Sequence, residues 1–94
     1  MMGSEITEKG VVLLRACGFI CKVFNSNRRV RTKDWIDIWA CKHGRTWLIE
    51  VKGKGDRLKP GQEKFIRELE NHLGPHLIYI LAKSVDDFQQ ISES

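Results

Sequence analysis

Asp37, Glu50 and Lys52 are the residues of this chain best spaced to do chemistry together. From Trp35 to Lys52, two runs of Ile, Val, Trp and Thr are broken at His43-Gly44, a pattern that predicts a β-hairpin. A two-residue turn there sets Lys42 against Arg45, Ala40 against Trp47 and Ile38 against Ile49, and Asp37 falls opposite Glu50. Directly opposed residues share a face, with β-carbons roughly 4.5–5.5 Å apart. Lys52, two residues beyond Glu50, projects from that face too. Two carboxylates so placed repel each other. A divalent cation between them removes that repulsion, and oxygen donors suit Mg2+ or Mn2+. The neighbouring ammonium suits a water or a phosphate oxygen. A Glu and a Lys two apart on a strand are also common in surface ion clusters. Here, however, the strand is Leu48-Ile49-Glu50-Val51-Lys52, apolar enough to be central in a sheet, where charges seldom stand without a partner or a metal.

The remaining elements must hold that hairpin. Ser4 to Cys17 reads as a helix capped by Ser4, with Glu5 and Glu8 in its electropositive first turn and Gly18 as its stop. Phe19 to Phe24 is β-rich and predicts a first strand. Asn25 to Lys33 has turn residues and no period, so it is a loop, and Lys54 to Lys59 is another. Pro60 suits the first position of a helix in which Phe65, Ile66, Leu69 and Leu73 recur until Gly74-Pro75. Leu77 to Ala82 is a continuous apolar run and predicts a strand buried on both faces. Ser84 and Asp87 open a short C-terminal helix carrying Phe88 and Ile91. The order αβββαβα describes an α/β fold, one mixed sheet flanked by helices. Ile38, Ala40, Ile49 and Val51 lie on the face opposite the charges and are apolar enough to pack on a helix.

Charge is segregated along the chain. The 94 residues carry net +4 and read as one domain over 1–94, with an ordinary globular balance of 41% hydrophobic and 30% charged residues. Lys22, Arg28, Arg29, Arg31 and Lys33 give residues 22–33 a charge of +5, and Lys52, Lys54, Arg57 and Lys59 against Asp56 give residues 52–59 a charge of +3. The rest is therefore −4, and both basic segments flank the hairpin, where they suit a phosphate backbone. The longest apolar run, Leu77 to Ala82, falls far short of the ~20 residues of a membrane span. Glu5 and Glu8 precede any apolar stretch, unlike a secretory signal. Cys17, Cys21 and Cys41 form an odd set without paired spacing, as expected of reduced thiols in a cytoplasmic protein rather than of disulfides or a zinc site.

On these residues the chain resembles the PD-(D/E)XK nuclease superfamily and, within it, the VRR-NUC (virus-type replication-repair nuclease) domain, with archaeal Holliday-junction resolvases next. The likeness runs from about Ser4 to Ala82. It is carried by Asp37, twelve intervening residues, Glu50-Val51-Lys52, then Arg57-Leu58 and Gln62 entering a helix. It implies a restriction-endonuclease-like αβββαβ core. It also implies Asp37 and Glu50 as metal ligands with the backbone carbonyl of Val51 as a third, Lys52 as the residue positioning the attacking water, and Gln62 in a site role. A helix-one acid often completes such sites; Glu8 is the candidate, with Glu5 close behind. Where the family has Gly-x-Pro-Asp this chain has Asp34-Trp35-Ile36-Asp37, so isoleucine stands for proline. Asp34 is an alternative ligand, although its hairpin partner would be Gly53.

The resemblance implies a Mg2+- or Mn2+-dependent endonuclease acting on branched or duplex DNA. Arg28, Arg29, Arg31, Lys33, Lys54, Arg57 and Lys59 are then its candidate backbone contacts. The rival reading is a nucleic-acid-binding module on a nuclease fold that does not cut. Trp35, Trp39 and Trp47, on or beside strands, read as core or dimer contacts before base-stacking groups. A small core with that much aromatic surface predicts a homodimer.

Overall fold

The computed structural model describes residues 2–24 and 35–94. The first helix, α1 (Gly3–Ala16), buries Ile6, Gly10, Val11 and Leu14 along one stripe. It begins ahead of Ser4. Met2 is the N-cap, and its backbone N–H donates to the Glu5 carboxylate at 3.3 Å. Glu5 reaching back to the cap decides the start, so Ser4 sits inside the first turn. Gly18, at φ +94°, ends the helix as expected. The Lys42 ammonium donates to the Cys17 carbonyl at 2.6 Å, a cation at the electronegative helix end.

Four strands follow, β1 (Ile20–Val23), β2 (Ile38–Lys42), β3 (Arg45–Val51) and β4 (Leu77–Ala82). They lie in the order β1-β2-β3-β4, the first two pairings antiparallel and the last parallel. The β2–β3 register is the expected one, with Ile38 opposite Ile49, Ala40 opposite Trp47 and Lys42 opposite Arg45. His43 and Gly44 both have positive φ, 51° and 78°. A two-residue turn matching the strand twist needs both, and only the glycine takes up that geometry without strain.

Helix α2 (Pro60–Leu69) provides the crossover to β4, and α3 (Val85–Ser92) closes the chain. The Gly74-Pro75 stop is anticipated by a 3-10 turn over Glu70–His72, so α2 ends at Leu69. The expectation for β4 is corrected. Only Ala82 is buried, and the other five residues are half-buried. Its one neighbouring strand is β3, so it is an edge strand, and residues on both of its faces keep partial contact with solvent.

The core occupies one side of the sheet. Ile6, Val11 and Leu14 of α1 and Phe88 and Ile91 of α3 pack on Phe19, Cys21, Ile38, Ala40, Trp47, Ile49, Val51 and Ala82. Phe19 and Trp47 meet edge to face at 5.1 Å. α1 and α3 approach closely at Gly10, where a β-carbon would lie 2.6 Å from the Phe88 ring.

Candidate active site

β3 sits between β2 and β4, so both of its edges are paired. Trp47, Ile49 and Val51 enter the core, while Leu48 and Glu50 point the other way. The hairpin register ends at Ile38–Ile49, and Asp37 is tied to β3 one residue out of it. The Asp37 N–H donates to the Ile49 carbonyl at 3.0 Å, and Asp37 Oδ2 accepts from the Val51 N–H at 2.7 Å. A backbone donor thus fixes the carboxylate beside Glu50. The Asp37 carbonyl in turn accepts from the Phe24 N–H at 2.8 Å, which ties the end of β1 to the same point.

Glu50 is 3% exposed, the buried charged residue of the described chain. Its Oε2 accepts from Gln62 Nε2 at 3.1 Å and lies 3.6 Å from the Lys52 ammonium. The Gln62 amide has one sensible orientation. Its Oε1 accepts from the Lys59 N–H at 2.9 Å, and a backbone N–H can only donate, so the amide nitrogen must face Glu50. Pro60 at the helix start and this reciprocal bond set the first turn of α2 against β3.

Burial pushes the Glu50 carboxyl up to about 8, reinforced by a hydrogen bond and the negative charge of Asp37; Lys52 opposes the shift and is outweighed. A carboxyl held from ionising by burial and by a neighbouring carboxylate is a place where a cation lowers the energy. The donor set fits one. Asp37 and Glu50 offer hard carboxylate oxygens. The Val51 N–H points to Asp37, and a strand residue directs its carbonyl to the same side as its N–H, where the β2–β3 register ends at Ile38–Ile49.

Glu8 does not join them. It is exposed, two residues from buried Ile6 and Gly10, and so lies off the stripe that meets the sheet. Glu5 is engaged at its own helix cap. Among the described residues, no three His, Cys, Asp or Glu side chains come close enough to hold a metal together.

The VRR-NUC domain model matches residues 18–85, most of the chain, and spans Asp37, Glu50, Val51, Lys52 and Gln62. The chain belongs to the VRR-NUC domain family. A solved structure described as a VRR_NUC domain superposes with a TM-score of 0.71 at 14% identity, covering 97% of this chain and 94% of that one. The comparison with curated proteins returns no match. The VRR-NUC nuclease fold is thus confirmed by matches that depend on sequence and on shape separately. No described helix is long and apolar enough to cross a membrane.

Around this VRR-NUC centre the other sequence candidates are distributed unevenly. Lys54, Arg57 and Lys59 are exposed on the segment between β3 and α2. That segment is shaped by Asp56, whose carboxylate accepts from the Gly53 N–H at 3.1 Å and whose own N–H donates to the Gly53 carbonyl at 3.0 Å. Arg28, Arg29, Arg31, Lys33 and Asp34 lie outside the described residues. Phe24 and Trp35, which flank that stretch, meet at 6.0 Å between ring centroids, and Trp35 lies 5.3 Å from Phe65 of α2. Ile36, in the family's proline position, is 2% exposed, so packing holds the turn into Asp37. Trp47 is core, whereas Trp39 is half-buried on the Glu50 side.

One residue of this face escapes sequence reasoning. Tyr79 pairs with Leu48 across β3–β4 and rises on the Glu50 side. Burial, then the charges of Glu50 and Asp37, push its phenol up to about 12. The run Leu77–Ala82 shows no polar alternation, so nothing in it distinguishes the two faces before the register is known.

Proposed function

We propose that this VRR-NUC protein is a divalent-metal-dependent endonuclease that hydrolyses DNA phosphodiester bonds, selective for branched substrates such as junctions or flaps. The observation that carries this reading is Glu50, a buried carboxyl facing Asp37, with Lys52 and Gln62 both beside it. Asp37, Glu50 and the Val51 carbonyl would hold Mg2+ or Mn2+. Bound there, such an ion supplies Lewis-acid polarisation of the phosphoryl oxygen and charge neutralisation at the leaving group. Lys52 places an ammonium at the edge of the carboxylate pair, where it can hold the attacking water or a phosphate oxygen. Gln62 restrains Glu50 and links it to the start of α2. Lys54, Arg57 and Lys59, with Arg28, Arg29, Arg31 and Lys33, are the proposed backbone contacts.

A homodimer belongs to this proposal. β1 and β4 each pair on one side only within the sheet, and Ile20, Val23 and Phe24 at β1 are 64%, 45% and 44% exposed. A two-fold arrangement would present two sites to a branched, two-fold substrate. Light scattering should give twice the 10.9 kDa of one chain. The three cysteines are free thiols, in keeping with the expected cytoplasmic setting.

The direct test incubates the protein with duplex, flap and four-way-junction DNA in Mg2+, Mn2+ or EDTA. Cleavage is expected with either cation, strongest on branched DNA, absent in EDTA and absent in Glu50→Gln. Tight binding without cleavage under every condition would leave the non-cutting binding module as the correct reading. Lys52→Ala should lose turnover while retaining Mn2+ affinity; loss of metal affinity in calorimetry would remove the role given to Lys52.

A further inference from the structure

β4 flanks β3 on the side away from Asp37, so it supplies the other wall of the site. Ile78, Ile80 and Ala82 pack with the core, which turns Tyr79 and Leu81 to the Glu50 face. Leu81 is level with Glu50 and apolar. Tyr79 starts one rung earlier, about 6.6 Å along the strand, and its side chain is long enough to bridge that rung. Tyr79 and Glu50 thus rise from neighbouring strands on the same face of the sheet. Lys52 and Gln62 already meet Glu50. A hydroxyl on the β4 wall adds a neutral donor, one that can meet a phosphate oxygen without adding charge to the acidic pair.

We propose that Tyr79 is a substrate-binding residue of this site, its hydroxyl donating a hydrogen bond to a non-bridging phosphate oxygen of DNA on the β4 side of Glu50. This rests on the nuclease reading above and adds to it the group that orients the backbone across from Asp37. Tyr79 is half-buried on an edge strand that pairs with β3.

Tyr79→Phe keeps the ring and removes the donor. Single-turnover cleavage in Mn2+, DNA affinity in Ca2+ and the melting temperature with and without Mn2+ are measured for both proteins. Cleavage and affinity are expected to fall roughly 10-fold or more, the range for a hydrogen bond to a charged group. The melting temperature and its rise with Mn2+ should be unchanged. A second arm repeats the affinity measurement with DNA carrying one methylphosphonate at successive positions near the cut. At one position the wild type should drop to the level of Tyr79→Phe, while Tyr79→Phe itself loses nothing further. Any general loss of fold affects both DNAs equally, so this comparison holds even if the variant is less stable. Wild-type cleavage and affinity in Tyr79→Phe, or additive losses at every position, would overturn the role of Tyr79 alone. A wild type inert with every cation, and no different from Glu50→Gln, would overturn the nuclease reading together with it.

Discussion

The two faces of the sheet are built on opposite rules from the same strands. On one, alternate residues of β2 and β3 meet α1 and α3, and Trp47, Ile49, Ile38 and Phe88 are almost wholly removed from water. On the other, α2 has no buried residue of its own, and what it meets at Glu50 is a carboxyl by way of a glutamine amide. Leu48 and Ile36 are buried but stand outside the main core. The core face gains free energy from apolar burial and close packing. The site face holds an acid whose ionisation burial and Asp37 oppose more than Lys52 favours it. Stability and chemistry are thereby separated by a single residue step along β3.

The largest effect that would test this separation lies on the core face. Trp47→Ala is expected to cost about 3–5 kcal/mol, a large part of the stability of a chain this size. Urea unfolding should show it equally with and without Mn2+. A variant that melts like wild type would mean the core lies elsewhere. Gly10→Leu should also destabilise strongly, because Phe88 must move to admit the new side chain.

Glu50→Gln makes the opposite prediction. Cleavage should fall by on the order of 10²–10³ or more, the scale of losing a group that organises transition-state charge. The melting temperature in EDTA should not fall, because the change removes a buried acid that Asp37 repels. A clear loss of stability would show that the Glu50 charge supports the fold.

The pH dependence sharpens the contrast. The Glu50 carboxyl titrates near 8 in the fold against an ordinary 4.5, so between those values the unfolded chain binds fewer protons than the native one. Its contribution to stability is therefore complete below about 4.5 and is lost as pH rises through about 8. Metal-free wild type should lose stability over that window relative to Glu50→Gln, which has no such group. Mn2+ binding should release a proton below pH 8 and tighten as pH approaches it, as calorimetry in buffers of different ionisation enthalpy can show. Equal slopes for the two proteins would place the titrating group elsewhere.

The smallest effect on stability should come from the exposed charges. Lys54, Arg57 and Lys59 changed together to Ala should alter stability by no more than about 0.5 kcal/mol each. DNA affinity should nevertheless fall for every sequence, its log–log salt dependence flattening by about 0.9 for each phosphate that the loop no longer neutralises. An unchanged salt slope would turn this loop away from the DNA.

Much of the molecule was legible in the sequence because its signals are local. The β2–β3 register from Ile38 to Arg45 follows from one turn at His43-Gly44 and the strict alternation of a strand, so a place for Asp37 near Glu50 could be read from the chain alone, although not the out-of-register bond to Ile49 that holds it there. Gln62 was legible for a similar reason, one helical turn before Ile66 on the same stripe. Glu8 was not. Helical period says which face a residue shares, but not how the helix is rotated against the sheet, and the packing of Ile6, Gly10 and Leu14 decides that Glu8 points away. Gly10 itself reveals its purpose only when Phe88, far along the chain, arrives against it. β4 is the clearest case. Its apolar run specifies a strand, yet a parallel crossover carries no turn to set the register. Only pairing with β3 decides that Tyr79 faces the carboxylates and that Ile78 and Ile80 face the core. The sequence by itself determined what adjacent residues do through turn geometry and periodicity. The tertiary structure alone decided which distant faces meet, because that depends on packing between elements that local pattern does not encode.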